Sequence, residues 1–129
     1  MKKTNAQLKK ILDGVFSKFI RHKYAYKDGL VHCYTCTVSK PVKEMQNGHW
    51  IPRNILSTRF DEDNCRPQCV GCNMFQKGRP DVFAVNLLNE YGQERLKALQ
   101  KNRQETIRYF PYEEKIEHYT NRLKEYEKK

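Results

Sequence analysis

The 129-residue sequence predicts an α+β fold in which a small cysteine-rich core lies between helical ends. Three observations predict it. Residues 4–26 carry apolar side chains at helical spacing, residues 30–80 hold two Cys-x-x-Cys pairs among short β-prone segments, and a helical pattern returns from Asp81. We therefore expect one domain made of three successive parts: a basic amphipathic helix at 1–28, the cysteine-rich core at 29–80 and a helical part at 81–129.

The first helix is predicted by a continuous apolar stripe that packs on a core, while its lysines and arginines lie largely on the other face. Thr4 and Gln7 have the spacing of a capping box at its start. Asp28 and Gly29 predict the turn that follows it. The stripe consists of Leu8, Ile11, Leu12, Val15, Phe16, Phe19 and Ile20.

The remaining elements are shorter. We expect β-prone segments at Leu30–Tyr34, Val42–Met45 and His49–Ile51. The helical expectations are one or two turns at Val70–Lys77, a helix capped by Asp81 that runs to about Tyr91, and another helix at Gln93–Lys101. Pro111 suits the first position of a last helix. An apolar seam on that helix either packs on its own domain or forms a dimer interface: Tyr112, Ile116, Tyr119, Leu123 and Tyr126.

The net charge indicates the class of partner. Lys and Arg number 25 against 15 Asp and Glu, which gives a charge of +10, and the excess is concentrated near the N-terminal end. Nucleic acid is the natural partner of such a chain, ahead of a membrane surface, although a basic terminus can also serve solubility alone. Apolar runs are too short for a membrane span and a secretory segment is absent, so we expect a cytoplasmic protein.

The cysteines predict a metal site. Cys33 and Cys36 form one Cys-x-x-Cys pair, and Cys69 and Cys72 form the second. Without a secretory signal, such cysteines bind metal more often than they form disulfides. Two pairs supply the four sulfurs of a structural zinc, and Cys65 is left as a buried or spare thiol.

A histidine and two asparagines lie between and after the cysteine pairs. His49 has the chemistry of a general base near neutral pH. The amide oxygen of Asn73, directly after Cys72, suits Mg²⁺, which accepts few protein ligands. A zinc closed by four sulfurs has no open position, so it would hold the structure together without taking part in a reaction.

His49, Asn64 and Asn73, interleaved with the two cysteine pairs, resemble the HNH nucleases, also called ββα-metal or His-Me finger nucleases. The resemblance implies a hairpin and a short helix around one Mg²⁺ or Mn²⁺ ion. It implies that His49 is the base, that Asn64 shapes the hairpin loop and that Asn73 binds the metal. Many members have an aspartate ligand just before the histidine, where this chain has Gly48.

The chain resembles the NinG/Rap recombination nucleases of lambdoid phages more closely. The blocks that carry this resemblance follow in order as FSKFIRHKYAYKDGLVHCYTC, GHWIPR, RFDEDN, QCVGCN and NLLNEYGQERLKAL. The family implies an enzyme that hydrolyses phosphodiester bonds in branched DNA, such as Holliday junctions and D-loops, in the host bacterial cytoplasm and without a small-molecule substrate. Two symmetric cuts predict a homodimer. Arg53 would clamp a phosphate or the leaving group.

Further cations are candidate phosphate contacts, which give affinity and salt dependence rather than sequence choice. They are Lys18, Arg21, Lys23, Arg53, Arg59, Lys77 and Arg79. On the resemblance to HNH helices, Lys77 should share a helical face with Asn73. Two other functions stay open at this point: a non-catalytic zinc-knuckle DNA-binding module, and an HNH enzyme that nicks or restricts plain duplex DNA.

Overall fold

The computed structural model describes residues 2–127. Five α-helices are present in this range: α1 Asn5–Lys23, α2 Leu56–Arg59, α3 Pro80–Tyr91, α4 Gln93–Asn102 and α5 Tyr112–Glu127. Four strands form two separate antiparallel pairs: β1 Leu30–His32 with β2 Ser39–Pro41, and β3 Gln46–His49 with β4 Cys65–Gln68. The mixture of helices and small sheets confirms the predicted class in its coarse form.

The start of α1 is as predicted. Thr4 Oγ1 accepts from the backbone N–H of Gln7, and the Gln7 side chain accepts from the N–H of Thr4. Such a cap is worth about 1 kcal/mol. The helix ends at Lys23, earlier than expected, and Ile11 is exposed rather than part of the buried stripe. The turn at Gly29 has the positive φ of 82° that glycine permits.

Two of the predicted β segments are displaced. Residues Val42–Glu44 form a 3₁₀ turn instead of a strand, and the following strand covers Gln46–His49 rather than His49–Ile51. In the β3–β4 pair, Gly48 lies opposite Arg66 and His49 lies opposite Cys65. Because side chains alternate along a strand, a side chain at position 48 would lie on the opposite side of this hairpin from that of His49.

A short helix follows the hairpin. Gly71–Phe75 forms a π-helical turn, separated from the end of β4 by Cys69 and Val70. This is within the predicted 70–77 segment, but it ends before Lys77. Lys77 has a φ of 54° and Arg79 a φ of 46°, so the chain turns sharply here. The expectation that Lys77 shares a helical face with Asn73 is therefore wrong. Helix α3 begins at Pro80, with Asp81 inside its first turn rather than at the cap.

The apolar seam of α5 packs against α1 of the same chain. The ring of Tyr119 lies 4.8 Å from Phe16 and 4.9 Å from Phe19, measured between centroids, and Tyr112 and Leu123 are also buried. Of the two interpretations of this seam, the structure shows packing within the same domain for Tyr112, Tyr119 and Leu123. The expectation that the seam is a dimer interface is wrong for them, and the homodimer stays a prediction without an assigned surface.

Within residues 2–127, none of the helices combines the length and the apolar composition needed to cross a bilayer.

Candidate metal centre and adjoining cleft

The four cysteines of the two pairs meet at one point. The Sγ atoms of Cys33, Cys36, Cys69 and Cys72 all lie within 4.8 Å of one another, and those of Cys36 and Cys69 are 3.7 Å apart. Four sulfurs at about 2.3 Å from a zinc ion would be separated by about 3.8 Å. The quartet therefore has the spacing of a tetrahedral metal site, as the sequence predicted.

Backbone N–H groups prepare these sulfurs for a cation. Cys69 N donates to Cys33 Sγ at 3.3 Å, and Cys72 N donates to Cys69 Sγ at 3.4 Å. Burial opposes ionisation, but the hydrogen bonds from Cys69 and Thr35 lower the pKa of Cys33 to about 7. Burial and the neighbouring thiols raise the pKa of Cys36 to about 12. Four thiolates this close need a cation between them, and a metal such as zinc could supply it.

Cys65 lies outside the quartet and is fully buried. It belongs to the cluster around α1 and α5, beside Phe60. Burial raises its pKa well above the ordinary thiol value. It is the spare buried thiol that the sequence predicted, and its neutral form packs as a small apolar side chain.

A cleft of about 500 Å³ opens beside β3. It brings together the three residues to which the sequence assigned a part in the reaction, His49, Arg53 and Asn73, and α1 and the turn before β3 also contribute to its lining. Its lining also includes Asp13, Ser17, Arg21, Lys43 and Met74. The cleft lining holds three cationic side chains, Arg21, Lys43 and Arg53, against one carboxylate, that of Asp13, so the cleft suits an anion.

The imidazole of His49 is held in one tautomer. Its Nε2 lies 2.8 Å from the backbone oxygen of Arg59. A carbonyl can only accept, so Nε2 carries the proton and Nδ1 keeps its lone pair. Burial lowers the pKa of His49 below its usual value, against the effect of the bond to Arg59. At neutral pH the ring is therefore neutral and able to take a proton at Nδ1.

Asn64 fixes the loop between β3 and β4. Its side chain is fully buried, and its Oδ1 accepts from Ile51 N at 2.8 Å. Its Nδ2 donates to the oxygens of Ile51 and Thr58, both at 3.1 Å. One carboxamide thus joins the two ends of the loop that contains Arg53 and Arg59. This is the geometry that a loop-shaping role requires, and the role itself stays a prediction.

Asn73 lies on the π-helical turn, one residue after the zinc-site Cys72. Its Nδ2 donates to Gln46 Oε1 at 2.7 Å. This bond orients the amide, so that the carbonyl oxygen is the end left for a cation in the cleft. The π-helical turn begins at the second cysteine pair, so the quartet fixes where Asn73 lies.

An aspartate at Gly48, the ligand that the resemblance to HNH enzymes would call for, would displace the side chain of Gln68. A Cβ at this position would overlap Oε1 and Cδ of Gln68. Gln68 is itself fully buried and anchored, because its Nε2 donates to Thr35 Oγ1 and to the oxygen of Gly78, both at 2.9 Å. The space that a metal-binding side chain would need is therefore filled by Gln68.

We expect Gly48→Ala to lower the free energy of unfolding by about 1–3 kcal/mol, because the added methyl forces Gln68 out of its bonds. Chemical denaturation of zinc-loaded protein measures the change. Gly14→Ala is the matched control, since a Cβ at Gly14 meets nothing within 4 Å and lies inside α1. It should stabilise the helix by about 0.5–1 kcal/mol. Equal stability of Gly48→Ala and wild type would show that Gln68 is not fixed.

Arg53 and Arg59 meet the same carboxylate. Arg59 binds Asp13 through Nε at 2.9 Å and Nη2 at 2.5 Å, and its side chain is 13% exposed. Arg53 Nη2 reaches Asp13 Oδ2 at 3.2 Å while the side chain stays 64% exposed. Arg53 is free to reorient towards a phosphate, whereas Arg59 is held by two bonds to Asp13.

The other predicted cations are dispersed. Arg21 lines the cleft but donates to the backbone oxygens of Ser17 and Val42. Lys23 pairs with Glu62 at 3.1 Å, outside the cleft lining. Arg79 donates to the oxygen of Thr35, beside the cysteine quartet. Lys18 and Lys77 are exposed. The structure thus gathers Arg21 and Arg53 at the cleft and places the rest elsewhere.

Sequence reasoning missed Asp13, Gln68 and Arg66. Arg66 is buried, donates to Glu90 at 2.8 Å and stacks against the rings of Tyr24, Tyr34 and Tyr91. It joins β4 to α3. Polar side chains such as these are usually solvated, so the sequence gave no signal that these three residues make buried or tertiary contacts.

A family model identifies the protein family of the chain. The model described as bacteriophage lambda NinG protein matches residues 1–129. The chain belongs to the NinG family. The match covers the cysteine quartet and the cleft together, and it confirms the family to which the sequence blocks pointed. Comparisons with curated proteins and with solved structures found no match.

Proposed function

We propose that this NinG-family protein is a metal-dependent endonuclease that hydrolyses phosphodiester bonds in branched DNA, within the cytoplasm of a phage-infected bacterium. The observation that carries the proposal is the meeting of His49, Arg53 and Asn73 in one cleft beside the cysteine quartet. An HNH arrangement explains why a hairpin, a short helix and these three side chains lie together.

His49 has the properties of the base. Its Nε2 proton is committed to Arg59 O, so Nδ1 takes the proton of the attacking water. Asn64 holds the loop that supplies this carbonyl. Arg53 is exposed and lies at the rim, where its guanidinium binds an oxygen of the scissile phosphate.

The residues present fit two metals with different tasks. The sulfur quartet fits a structural zinc, and the oriented amide oxygen of Asn73 fits Mg²⁺ or Mn²⁺, which keep several waters and accept few protein ligands. When bound, such a hard cation neutralises charge that develops on the leaving oxygen. Asp13 is unsuited to be a second ligand, because Arg53 and Arg59 occupy its carboxylate oxygens.

Exposed apolar side chains beside Asn73 favour a branched substrate over plain duplex. Phe75 is 80% exposed and Met74, in the cleft lining, is also exposed. Aromatic rings gain about 1–3 kcal/mol per base by stacking on unpaired bases, whereas the bases of a continuous duplex already stack on each other. A junction or D-loop interrupts that stack and offers a base face.

Cleavage of labelled four-way junction, D-loop and duplex DNA by zinc-loaded protein tests the proposal. We expect junction or D-loop cleavage that requires added Mg²⁺ or Mn²⁺ and exceeds duplex cleavage. Equal cleavage of duplex would favour a nicking or restriction-type nuclease. Binding of DNA without cleavage under any of these ions would favour the non-catalytic zinc-knuckle module, and the enzymatic proposal would be withdrawn.

We expect Phe75→Ala to lower cleavage of the junction about 10-fold while duplex cleavage changes little, because the stacking contact is lost on the branched substrate alone. The ratio of the two rates is the measured quantity. Tyr109→Ala is the control, since Tyr109 is equally exposed at 79% but lies between α4 and α5. A parallel fall in both rates would assign Phe75 to general DNA binding and remove this argument for branched substrates.

A further inference from the structure

Asp13 is an acidic residue in a cleft that otherwise suits an anion. It comes from α1, far along the chain from His49 and Asn73, yet it lines the same cleft. Both of its carboxylate oxygens are bound by arginines of the β3–β4 loop. An uncompensated acidic group here would repel a DNA phosphate, so its presence calls for a role.

The contacts connect Asp13 to His49 through one residue. Asp13 binds the Arg59 guanidinium in a bidentate pair, with most of the Arg59 side chain buried. Arg59 Nη1 donates in turn to the oxygen of Arg53 at 2.7 Å. The backbone oxygen of Arg59 accepts from His49 Nε2. The carboxylate thus fixes the guanidinium, the loop and the carbonyl that orients the imidazole.

We infer that Asp13 is a positioning residue for the catalytic base: through Arg59 it holds His49 with Nδ1 directed at the reacting phosphodiester. This rests on the proposed nuclease function. It assigns Arg59 to the same task rather than to phosphate binding, and it leaves Arg53, with its single bond of 3.2 Å and its exposed side chain, as the arginine that changes partner when DNA binds.

The charges around His49 give the inference a readout beyond loss of rate. Burial is the main cause of the lowered pKa of His49; the charges of Arg53 and Arg59 lower this pKa as well, and the charge of Asp13 opposes them. Arg21 and Lys43 also line the cleft. Removing the carboxylate leaves the arginine charges uncompensated, so the pKa of His49 falls further. A base with a lower pKa stays deprotonated at lower pH, which moves the acid limb of the rate profile downwards.

We expect Asp13→Asn to lower kcat about 10- to 100-fold with KM little changed, because the base is misplaced while DNA contacts remain. The acid limb of the kcat/KM profile should move to lower pH. Asp13→Glu keeps the charge and should restore the position of that limb and part of kcat. Asp63→Asn is the matched control, since it breaks another carboxylate–arginine pair, 2.7 Å to Arg95, outside the cleft.

Three results would overturn the inference. A lower KM with unchanged kcat would mean that Asp13 competes with phosphate instead of positioning His49. An unmoved acid limb, or an equal loss in Asp63→Asn, would mean that it serves stability alone. The ¹⁵N NMR signals of the His49 ring test the positioning without DNA: we expect an Nε2-protonated ring in wild type and a mixture of tautomers in Asp13→Asn. The ring spectra decide the inference even where wild type cleaves no DNA and the proposed function itself fails.

Discussion

His49→Ala is expected to lower junction cleavage by about 10²–10⁴-fold while fold and zinc content stay unchanged. The substitution removes the nitrogen that accepts the proton of water. It also removes the bond to Arg59 O, but that contact is one of several that hold the loop, since Asn64 and Asp13 bind it as well. Single-turnover cleavage with Mg²⁺ measures the loss, and metal analysis with circular dichroism measures fold and zinc.

His32→Ala is the matched control, because His32 lies on the exposed β1–β2 hairpin and bonds to Ser39. It should cleave at the wild-type rate. Full activity of His49→Ala in protein free of contaminating nuclease would remove His49 as the base, and with it the assignment of the cleft as an active site.

Cys69→Ser is expected to lose the zinc ion and to unfold or aggregate. The quartet is the centre of its own small cluster, in which Val31 and Met45 pack around the sulfurs. Hydrophobic burial by so few side chains cannot hold β1, β4 and the π-helical turn together, so metal binding supplies much of their folding free energy. Metal analysis gives the zinc stoichiometry, and thermal unfolding gives the stability.

Cys65→Ser is the control for the thiol itself. Cys65 is equally buried but lies with α1 and α5 rather than at the quartet. It should keep one zinc per chain and lose only packing energy. A Cys69→Ser protein that stays folded and active, or a Cys65→Ser protein that loses zinc, would contradict the structural role given to the quartet.

Much of the fold follows from local patterns that are visible in the sequence. The α1 stripe, the Thr4 cap and the paired cysteines each depend on residues close in sequence, and the structure has all three. The predicted position of β3 was wrong because Val42 and Met45 have a high propensity for strands. In the structure the chain turns at Val42–Glu44, and this turn brings Gln46 opposite Gln68. Pairing between distant strands set that register.

The network around His49 could not be predicted, because it joins elements that are far apart along the chain. From the sequence, Asp13 is expected to be one solvated charge among the lysines of α1. Tertiary packing brings it to Arg59. In the sequence, Gly48 stands where a metal ligand is missing. The structure shows that the side chain of Gln68 fills the space beside it. Spacing identified the candidate base and metal ligand, and the structure supplied what orients them.

Anomalous scattering from Mn²⁺ in a crystal of the zinc-loaded His49→Ala protein with a four-way junction tests the central claim most directly. We predict one manganese ion in contact with Asn73 Oδ1 and a backbone phosphate, in the cleft that Arg53 borders and apart from the sulfur-bound zinc. Manganese bound elsewhere, or DNA seated away from this cleft, would contradict it.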